Sequence, residues 1–491
     1  MSHTAPARAA YRPPAAPDQR RWRALVLLCL AQFMVILDVT VVNVALPAIG
    51  ADLALDRAAL TWVVTAYTLC FGGLMLLGGR LADLLGRGRT FLAGLAVFTV
   101  ASAGAGLAAD GSALVAARAL QGVGAALLSP AALSIITTTF HGPERRRALG
   151  VWAGIGGTGA AVGVLLGGLL ASGPGWEWVF FINVPVGVLV AAAVPVTVAA
   201  SPRQAAAGAG AARAGAVDPL GALAVTVGTG LLIYGLVRAG DAGWGAAGTL
   251  LPLGAGLALL AVFIAVERTV PAPLVDLRSL AARPVAAGYG VMLAASGLLI
   301  SGFFLSSLLL QRVMGLSALR TGLVFLPVAL ATIVGAQAAA HLLGRLGGRP
   351  VAATGFAMAA AGMALLAGVG ADGDAVTGVL PGFALAAAGL GMAFVTATTT
   401  AMTSVDPHRA GMVSGVVNTA HELGAALGVA LISTIAGASV QAERAATSTV
   451  VAGFGDAFLA GAIIAGVSAV AAAWLLPPGR PPAADGPVLA H

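Results

Sequence analysis

The sequence predicts an all-α integral membrane protein with fourteen transmembrane helices, arranged as two six-helix bundles with two inserted helices between them. Three observations lead to this fold class. The chain is 59% hydrophobic and only 9% charged, whereas about a quarter of the residues of a soluble domain are charged. It contains fourteen apolar runs close to the roughly 20 residues that a helix needs to cross a bilayer. Short motifs of its first half also recur, in order, in its second half.

The apolar runs follow one another along nearly the whole chain. Their approximate limits are 24–47, 60–79, 90–109, 113–138, 148–171, 178–199, 217–237, 247–267, 286–309, 321–343, 350–370, 377–403, 411–436 and 453–476. The tail before the first run has no signal-peptide core, so that run is predicted to be an uncleaved anchor. The resulting division is an N-terminal tail (1–23), a first bundle (24–199), a linker with two inserted helices (200–284), a second bundle (285–476) and a C-terminal tail (477–491).

The arginines predict the orientation of these spans. All 26 basic residues are arginine. With fourteen spans, twenty of them fall on the side of the termini, five on the opposite side, and one, Arg118, inside a span. Because positive residues accumulate on the cytoplasmic side, both termini are predicted to be cytoplasmic. Arginines scattered through short loops do not indicate a nucleic-acid surface, and Cys29 and Cys70 lie in apolar runs, which argues against a disulfide framework.

Three internal echoes predict the division into halves. GAAVGV (159–164) recurs as GAALGV (424–429), QGVGAA (121–126) as AGLGMA (388–393), and LGRGR (85–89) as LGGRP (346–350), at offsets of 265, 267 and 261 residues. One echo among Gly/Ala-rich helices could arise by chance, but three in order favour duplication. Spans 7 and 8 are then an insert, and parallel halves of this kind are a transporter architecture.

Span 1 contains an acid, Asp38, near its middle, within FMVILDVTVVNVALP (33–47). A charged side chain there costs several kcal/mol unless it is paired, hydrated or protonated. Burial disfavours the carboxylate and a nearby cation favours it, so Asp38 could take up and release a proton. Arg118 of span 4 is a candidate partner, with Gln121 and Asn183 as further polar contacts. The alternative is a structural hydrogen bond between helices.

The second half has a polar cluster of its own in NTAHELG (418–424). Asn418 and Glu422 are four residues apart and share a helix face, whereas His421 points about 100° away. Glu422 could carry a proton or attract a cationic substrate in a central cavity. A single interhelical hydrogen bond is an equally good explanation of the cluster.

Two further segments suggest conformational roles. The loop GRLADLLGRGR (79–89) combines glycines with charges, and could be a salt-bridged gate or only a basic cytoplasmic loop; its candidate residues are Gly79, Asp83, Gly86, Arg87 and Arg89. Span 5 contains GTGAAVGVLLGG (157–168), in which Gly159, Gly163, Gly167 and Gly168 form a smooth face for close helix packing. Spacing alone does not show whether that packing controls gating.

These motifs together resemble those of the major facilitator superfamily, and within it the fourteen-span drug:proton antiporters. The resemblance extends from about residue 24 to 476. It rests on LDVTVVNVALP (37–47), GRLADLLGRGR (79–89), RALQGVGAA (118–126), GAAVGVLLGG (159–168) and WEWVFFINVPVG (176–187). Three positions depart from the family pattern. Val164 stands where the antiporter motif has proline, Glu177 where an arginine is usual, and His421–Glu422 where an arginine–glutamine pair is usual.

The resemblance implies proton-driven export of small amphipathic molecules, with no cofactor beyond the proton gradient, by a monomer in a bacterial plasma membrane. Asp38 and Arg118 would then control protonation, and Glu422 would be a second acid. The alternatives are a proton-coupled importer or facilitator, and a membrane enzyme or sensor. The six histidines are dispersed without metal-ligand spacing and no phosphate-binding Walker loop is present, which argues against a metalloenzyme or direct use of ATP.

Overall fold

The computed structural model describes residues 19–55, 57–197, 218–270, 273–370, 374–403, 405–406, 409–440 and 447–479. These residues form helices and turns and no strand. The predicted tails, apart from 19–23 and 477–479, and residues 200–217 and 271–272 of the predicted linker lie outside the described ranges. All-helical architecture is therefore confirmed for the described part of the chain.

The first half consists of seven helices, the last two of which are separated only by Ile182. They are α1 (Gln19–Asp52), α2 (Arg57–Leu85), α3 (Arg87–Gly106), α4 (Gly111–Thr139), α5 (Gly142–Ser172), α6 (Trp178–Phe181) and α7 (Asn183–Thr197). Asp110 caps α4, accepting a hydrogen bond from the backbone N–H of Ala113. Gly86 joins α2 to α3 with a φ of 98°, a conformation that favours glycine.

The inserted pair and the second half follow. The inserted helices are α8 (Pro219–Ala242) and α9 (Ala247–Glu267), and a short helix α10 (Leu277–Ala281) leads from them to the second half. The second half contains α11 (Arg283–Leu308), α12 (Ala318–Leu346), α13 (Gly348–Ala367), α14 (Leu380–Ala401), α15 (Ala410–Val440) and α16 (Thr447–Leu475). One π turn extends α11 over Leu309–Val313, and another precedes α14 at Ala375–Val379.

Twelve helices in the described ranges are long and apolar enough to cross a membrane. Fourteen spans were predicted, and that number is not confirmed: the twelve candidates among the described residues do not include spans 5 and 6. Helix α5 is 31 residues long, and its sequence from Leu149 to Ser172 contains no charged residue. The apolar helix at span 6 extends only over Trp178–Val194. Large apolar side chains such as Val100, Leu251 and Trp474 are more than 70% exposed on the bundle's outside, as lipid contact requires.

Helix packing follows the internal repeat. In each half the first helix packs on the fifth (α1–α5 and α11–α15), and the fourth packs on the second and third (α4 with α2 and α3, α14 with α12 and α13). The two halves contact each other chiefly where the second helix of each half packs on the fifth helix of the other. These contacts are α2 with α15 and α12 with α5. The insert lies outside this arrangement, where α8 packs on α2 and α15, and α9 packs on α8.

Candidate functional site

Asp38 and Arg118 are in direct contact inside the first half. Arg118 Nη1 lies 2.5 Å from Asp38 Oδ2, and the two side chains are 1% and 0% exposed. Arg118 also donates from Nε to the carbonyl oxygen of Val63 (3.1 Å), and its guanidinium lies 4.3 Å from the ring centre of Tyr67. A buried ion pair is tolerated only when further hydrogen bonds satisfy its remaining polar atoms, and these contacts do so for Arg118.

The remaining oxygen of Asp38 is held by two amides. Gln121 Nε2 donates to Asp38 Oδ1 at 3.0 Å, and Asn183 Nδ2 donates to the same oxygen at 2.8 Å. Gln121 also donates to Ser102 Oγ (2.7 Å) and accepts from Arg118 Nη1 (2.9 Å). All four residues proposed from the first-half sequence therefore meet in one network. Ser102, Val63 and Tyr67 are additional members of the network. Nothing in the sequence singled them out, because one serine, valine or tyrosine in an apolar span does not differ from its neighbours in any recognisable pattern.

This network is confined to the first half. Its members come from α1, α2, α3, α4 and α7, and Asp38 has no exposed surface. At the repeat offset of 267, Arg118 corresponds to Leu385 of α14. The second half instead packs Phe303, Phe325 and Phe383 edge to face in its interior. The asymmetry shows that the ion pair is not required by the architecture of a half.

Glu422 lies where α15 approaches α2, and it is close enough to Tyr67 of this network to act on it electrostatically. A Cβ at Gly72 of α2 would be 3.6 Å from Glu422 Cβ. The neighbouring His421 was expected to point away, but its Nδ1 is 3.3 Å from Glu422 Oε1, and the two side chains are 35% and 17% exposed. Asn418 is half-buried, and its Nδ2 donates no hydrogen bond to any residue the structure describes.

The loop between α2 and α3 binds the second half directly. The carboxylate of Asp83, 2% exposed, accepts from the backbone N–H groups of Gly411 (2.9 Å) and Met412 (2.8 Å), at the start of α15. The first N–H groups of a helix have no intrahelical acceptor, and the helix dipole favours an anion there. Arg87 is 3.5 Å from Asp83, and Gly79 allows α2 to approach the carbonyl of Gly411.

The other loop residues have lesser roles in this arrangement. Arg87 also donates to Thr138 Oγ1 of α4 at 3.1 Å, whereas Arg89 is exposed. A second contact joins the halves at the same end of the bundle, where Arg145 of α5 donates to the carbonyl of Met402 after α14. We call this end the gate end, defined by Asp83, Gly411, Met412, Arg145 and Met402.

The glycine face of α5 packs on α1, the helix that carries Asp38. A Cβ at Gly159 would lie 2.8 Å from Ile36, one at Gly163 would lie 1.7 Å from Thr40 Oγ1, and one at Gly167 would lie 3.0 Å from Val44. These distances leave no room for side chains at Gly159 and Gly163, and almost none at Gly167. Gly168, the fourth predicted member, is half-buried.

The second half repeats this close approach. A Cβ at Gly424 of α15 would be 2.2 Å from the carbonyl oxygen of Leu293, and one at Gly428 would be 2.3 Å from that of Gly297. Gly424 and Gly428 are the repeat equivalents of Gly159 and Gly163 at the offset of 265. The glycines of both motifs thus place the fifth helix of each half against its first helix.

The family model of the Major Facilitator Superfamily matches residues 28–429. The chain belongs to this superfamily. Among its relatives, the puromycin resistance protein pur8 of Streptomyces alboniger is 40% identical over 96% of this chain and 94% of that protein. The cephamycin export protein CmcT of Amycolatopsis lactamdurans is 38% identical over 89% of this chain and 88% of that protein.

Solved structures agree with the superfamily fold. The human organic anion transporter MFSD10 (TETRAN) superposes with a TM-score of 0.64 at 15% identity, covering 93% of this chain and all of that one. The chain is accordingly a multi-pass membrane transporter of the major facilitator superfamily and not an enzyme. The resemblance to the major facilitator superfamily drawn from its motifs is confirmed.

Proposed function

We propose that this transporter exports a small amphipathic molecule, an antibiotic or a similar drug, in exchange for protons. The puromycin and cephamycin proteins that it resembles carry resistance or export in their names. The observation that carries the proposal is the buried Asp38–Arg118 pair with its amide partners. Proton coupling needs an acid whose surroundings change between two conformations, and a buried carboxylate held by a cation on another helix fits that requirement.

The geometry suggests how protonation would act. A proton on Asp38 removes the charge that holds Arg118, and a buried guanidinium without its carboxylate is costly. The helices α1 and α4 would then repack, and α1 would carry α5 with it because the glycine face of α5 packs directly against the side chains of α1. Because α5 packs on α12 of the second half, this movement would alter the contact between halves. The Asp83 and Arg145 contacts at the gate end would hold one of the two conformations.

The proposal includes a topology. The helices α5 and α6–α7 are taken as spans 5 and 6, which brings the twelve candidate spans to fourteen. The gate end would face the cytoplasm of a bacterial cell, with both termini on that side, because Arg87, Arg145 and Arg409 lie there and arginine accumulates on the cytoplasmic face. The working unit would be a monomer, powered by the proton gradient without a cofactor.

Everted membrane vesicles test the function. Vesicles containing the wild-type protein should accumulate a fluorescent drug when the vesicle lumen is made acidic relative to the outer medium, so that protons leave as drug enters, whereas an importer or facilitator would not. The variant Asp38→Asn should reach the membrane and bind drug but lose gradient-driven accumulation. Asp110→Asn is the matched control, since Asp110 is an exposed helix cap and asparagine caps helices equally well. Wild-type accumulation by Asp38→Asn at all pH values would refute the role of Asp38.

The substrate needs a separate experiment. Cells with and without the gene should be compared across a panel of antibiotics, dyes and disinfectants. A raised inhibitory concentration for one chemical class would identify the substrate class. Equal sensitivity to every compound, together with gradient-driven uptake of a metabolite, would favour the importer.

A further inference from the structure

Two acids at one end of the inserted helical pair have no role in the proposed mechanism. Asp218 precedes α8 and Glu267 ends α9, so the antiparallel hairpin brings both to the gate end. Glu267 is only 5% exposed. This burial is unusual for its helix, because α9 is the least buried of the twelve candidate spans. A buried acid on a helix that otherwise faces lipid calls for a partner.

Within the described residues, each acid has one carboxylate oxygen that accepts a hydrogen bond and one that accepts none, and the backbone N–H of Leu274 also lies close to Glu267. Asp218 Oδ1 accepts from the N–H of Leu220 at 3.0 Å, and Glu267 Oε2 accepts from the N–H of Val275 at 2.9 Å. Asp218 Oδ2 and Glu267 Oε1 are both buried and accept nothing from the residues that the structure describes. A methyl group at Gly221 would be 2.5 Å from Asp218 Oδ2 and 2.8 Å from Glu267 Oε1. The two oxygens therefore face the same small space.

Among the residues that the structure describes, the charged groups that act on Glu267 are Asp218 and, from α2, Arg80. One arginine cannot neutralise two carboxylates. Arg268 is exposed, and Asp276 of the following segment is turned toward Arg409 and Ser279. Two ionised carboxylates in one buried space repel each other strongly. One proton held between them removes a charge and supplies the single O–H donor that both free oxygens lack.

We propose that Asp218 and Glu267 share one proton and form a second protonation site, separate from Asp38, that adjusts export to cytoplasmic pH. The regulatory part rests on the proposed export function. Arg80 lies three residues before Asp83 and acts electrostatically on both Asp83 and Glu267. Loss of the shared proton adds a negative charge that attracts Arg80 and weakens its support of Asp83. A change in cytoplasmic pH thereby alters the Asp83 contact at the gate end through the charge of the insert.

Infrared spectroscopy of the purified, full-length protein tests the site without any transport. The wild type should show a protonated-carboxyl band that disappears as pH rises. In Asp218→Asn and Glu267→Gln this band should vanish, or its midpoint should fall by about one pH unit or more, because the lone acid no longer has a carboxylate neighbour. Asparagine at 218 can keep the helix cap through its amide oxygen. Asp38→Asn should retain the band.

Glycine variants provide a matched steric test. Gly221→Ala places a methyl group between the two oxygens and should abolish the shared proton. Gly230→Ala on the same helix adds a methyl group to open space and should give the wild-type titration. An identical band in the wild type, Asp218→Asn, Glu267→Gln and Gly221→Ala would overturn the site.

Transport measurements then separate the regulatory role from the proposed function. In everted vesicles the outer medium contacts the cytoplasmic face, so its pH can be varied while drug accumulation is measured. Glu267→Gln should still accumulate drug, with its pH dependence shifted by about one pH unit. An unshifted profile would refute the link to the gate. Failure of the wild type to respond to any proton gradient would refute antiport instead, and the infrared result would be unaffected by that failure.

Discussion

The contact between Gly163 and Thr40 gives a quantitative test of how α5 is held on α1. In Gly163→Ala the new methyl group would lie 1.7 Å from Thr40 Oγ1 and 2.8 Å from Thr40 Cβ. Both distances are too short, so the helices must separate or Thr40 must move. Overpacking of this kind costs about 1–3 kcal/mol. The higher helix propensity of alanine returns at most about 1 kcal/mol.

A double variant can divide the stability lost in Gly163→Ala into the contributions of the individual Thr40 atoms. Thr40→Ala removes the oxygen at 1.7 Å but leaves the Cβ at 2.8 Å, so Gly163→Ala/Thr40→Ala should recover part of the stability lost in Gly163→Ala. Gly428→Ala provides the contrast, because its nearest atom is the backbone oxygen of Gly297 at 2.3 Å. No side-chain truncation can relieve that contact. Gly104→Ala meets only open space and controls for the added methyl group.

The measurement is the unfolding midpoint of each purified variant in detergent, with drug accumulation in vesicles measured alongside. Gly163→Ala should unfold at a lower temperature than Gly104→Ala, and the double variant should lie between Gly163→Ala and the wild type. Strict additivity of the two single substitutions would refute the reasoning, because it would mean that residues 40 and 163 do not interact.

Two other substitutions test the remaining contacts. Asp83→Ala leaves the N–H groups of Gly411 and Met412 without their acceptor, which costs about 1–3 kcal/mol and should speed hydrogen exchange at those two amides, whereas Asp110→Ala should not. Unchanged exchange would show that the Asp83 contact does not hold the gate end. Glu422→Gln should weaken export of cationic drugs more than of neutral ones, because it removes only a charge. Equal loss for both classes would contradict a substrate-attracting role.

Much of the fold could be predicted because membrane insertion depends on local sequence. A bilayer requires long apolar helices whose backbone hydrogen bonds are made within the helix. Each span can therefore be recognised as an apolar window of about 20 residues. Spans 5 and 6, where α5 and α6–α7 lie, were predicted in the same way, although the twelve candidates among the described residues do not include them. The repeat was visible because its glycines must allow close helix approach, against a side chain at Gly163 and against the backbone at Gly428.

The sequence by itself determined the membrane class, the paired halves and the presence of unusual acids at Asp38, Asp83 and Glu422. Only the tertiary structure decided their partners. Asp38 meets Arg118 across 80 residues, and Asp83 meets Gly411 across 328. Hydropathy shows that a buried acid needs a partner, but the rotation and packing of whole helices decide which group comes within hydrogen-bonding distance. The same physics placed Asp218 beside Glu267, where neither residue's neighbours in sequence indicated a pair.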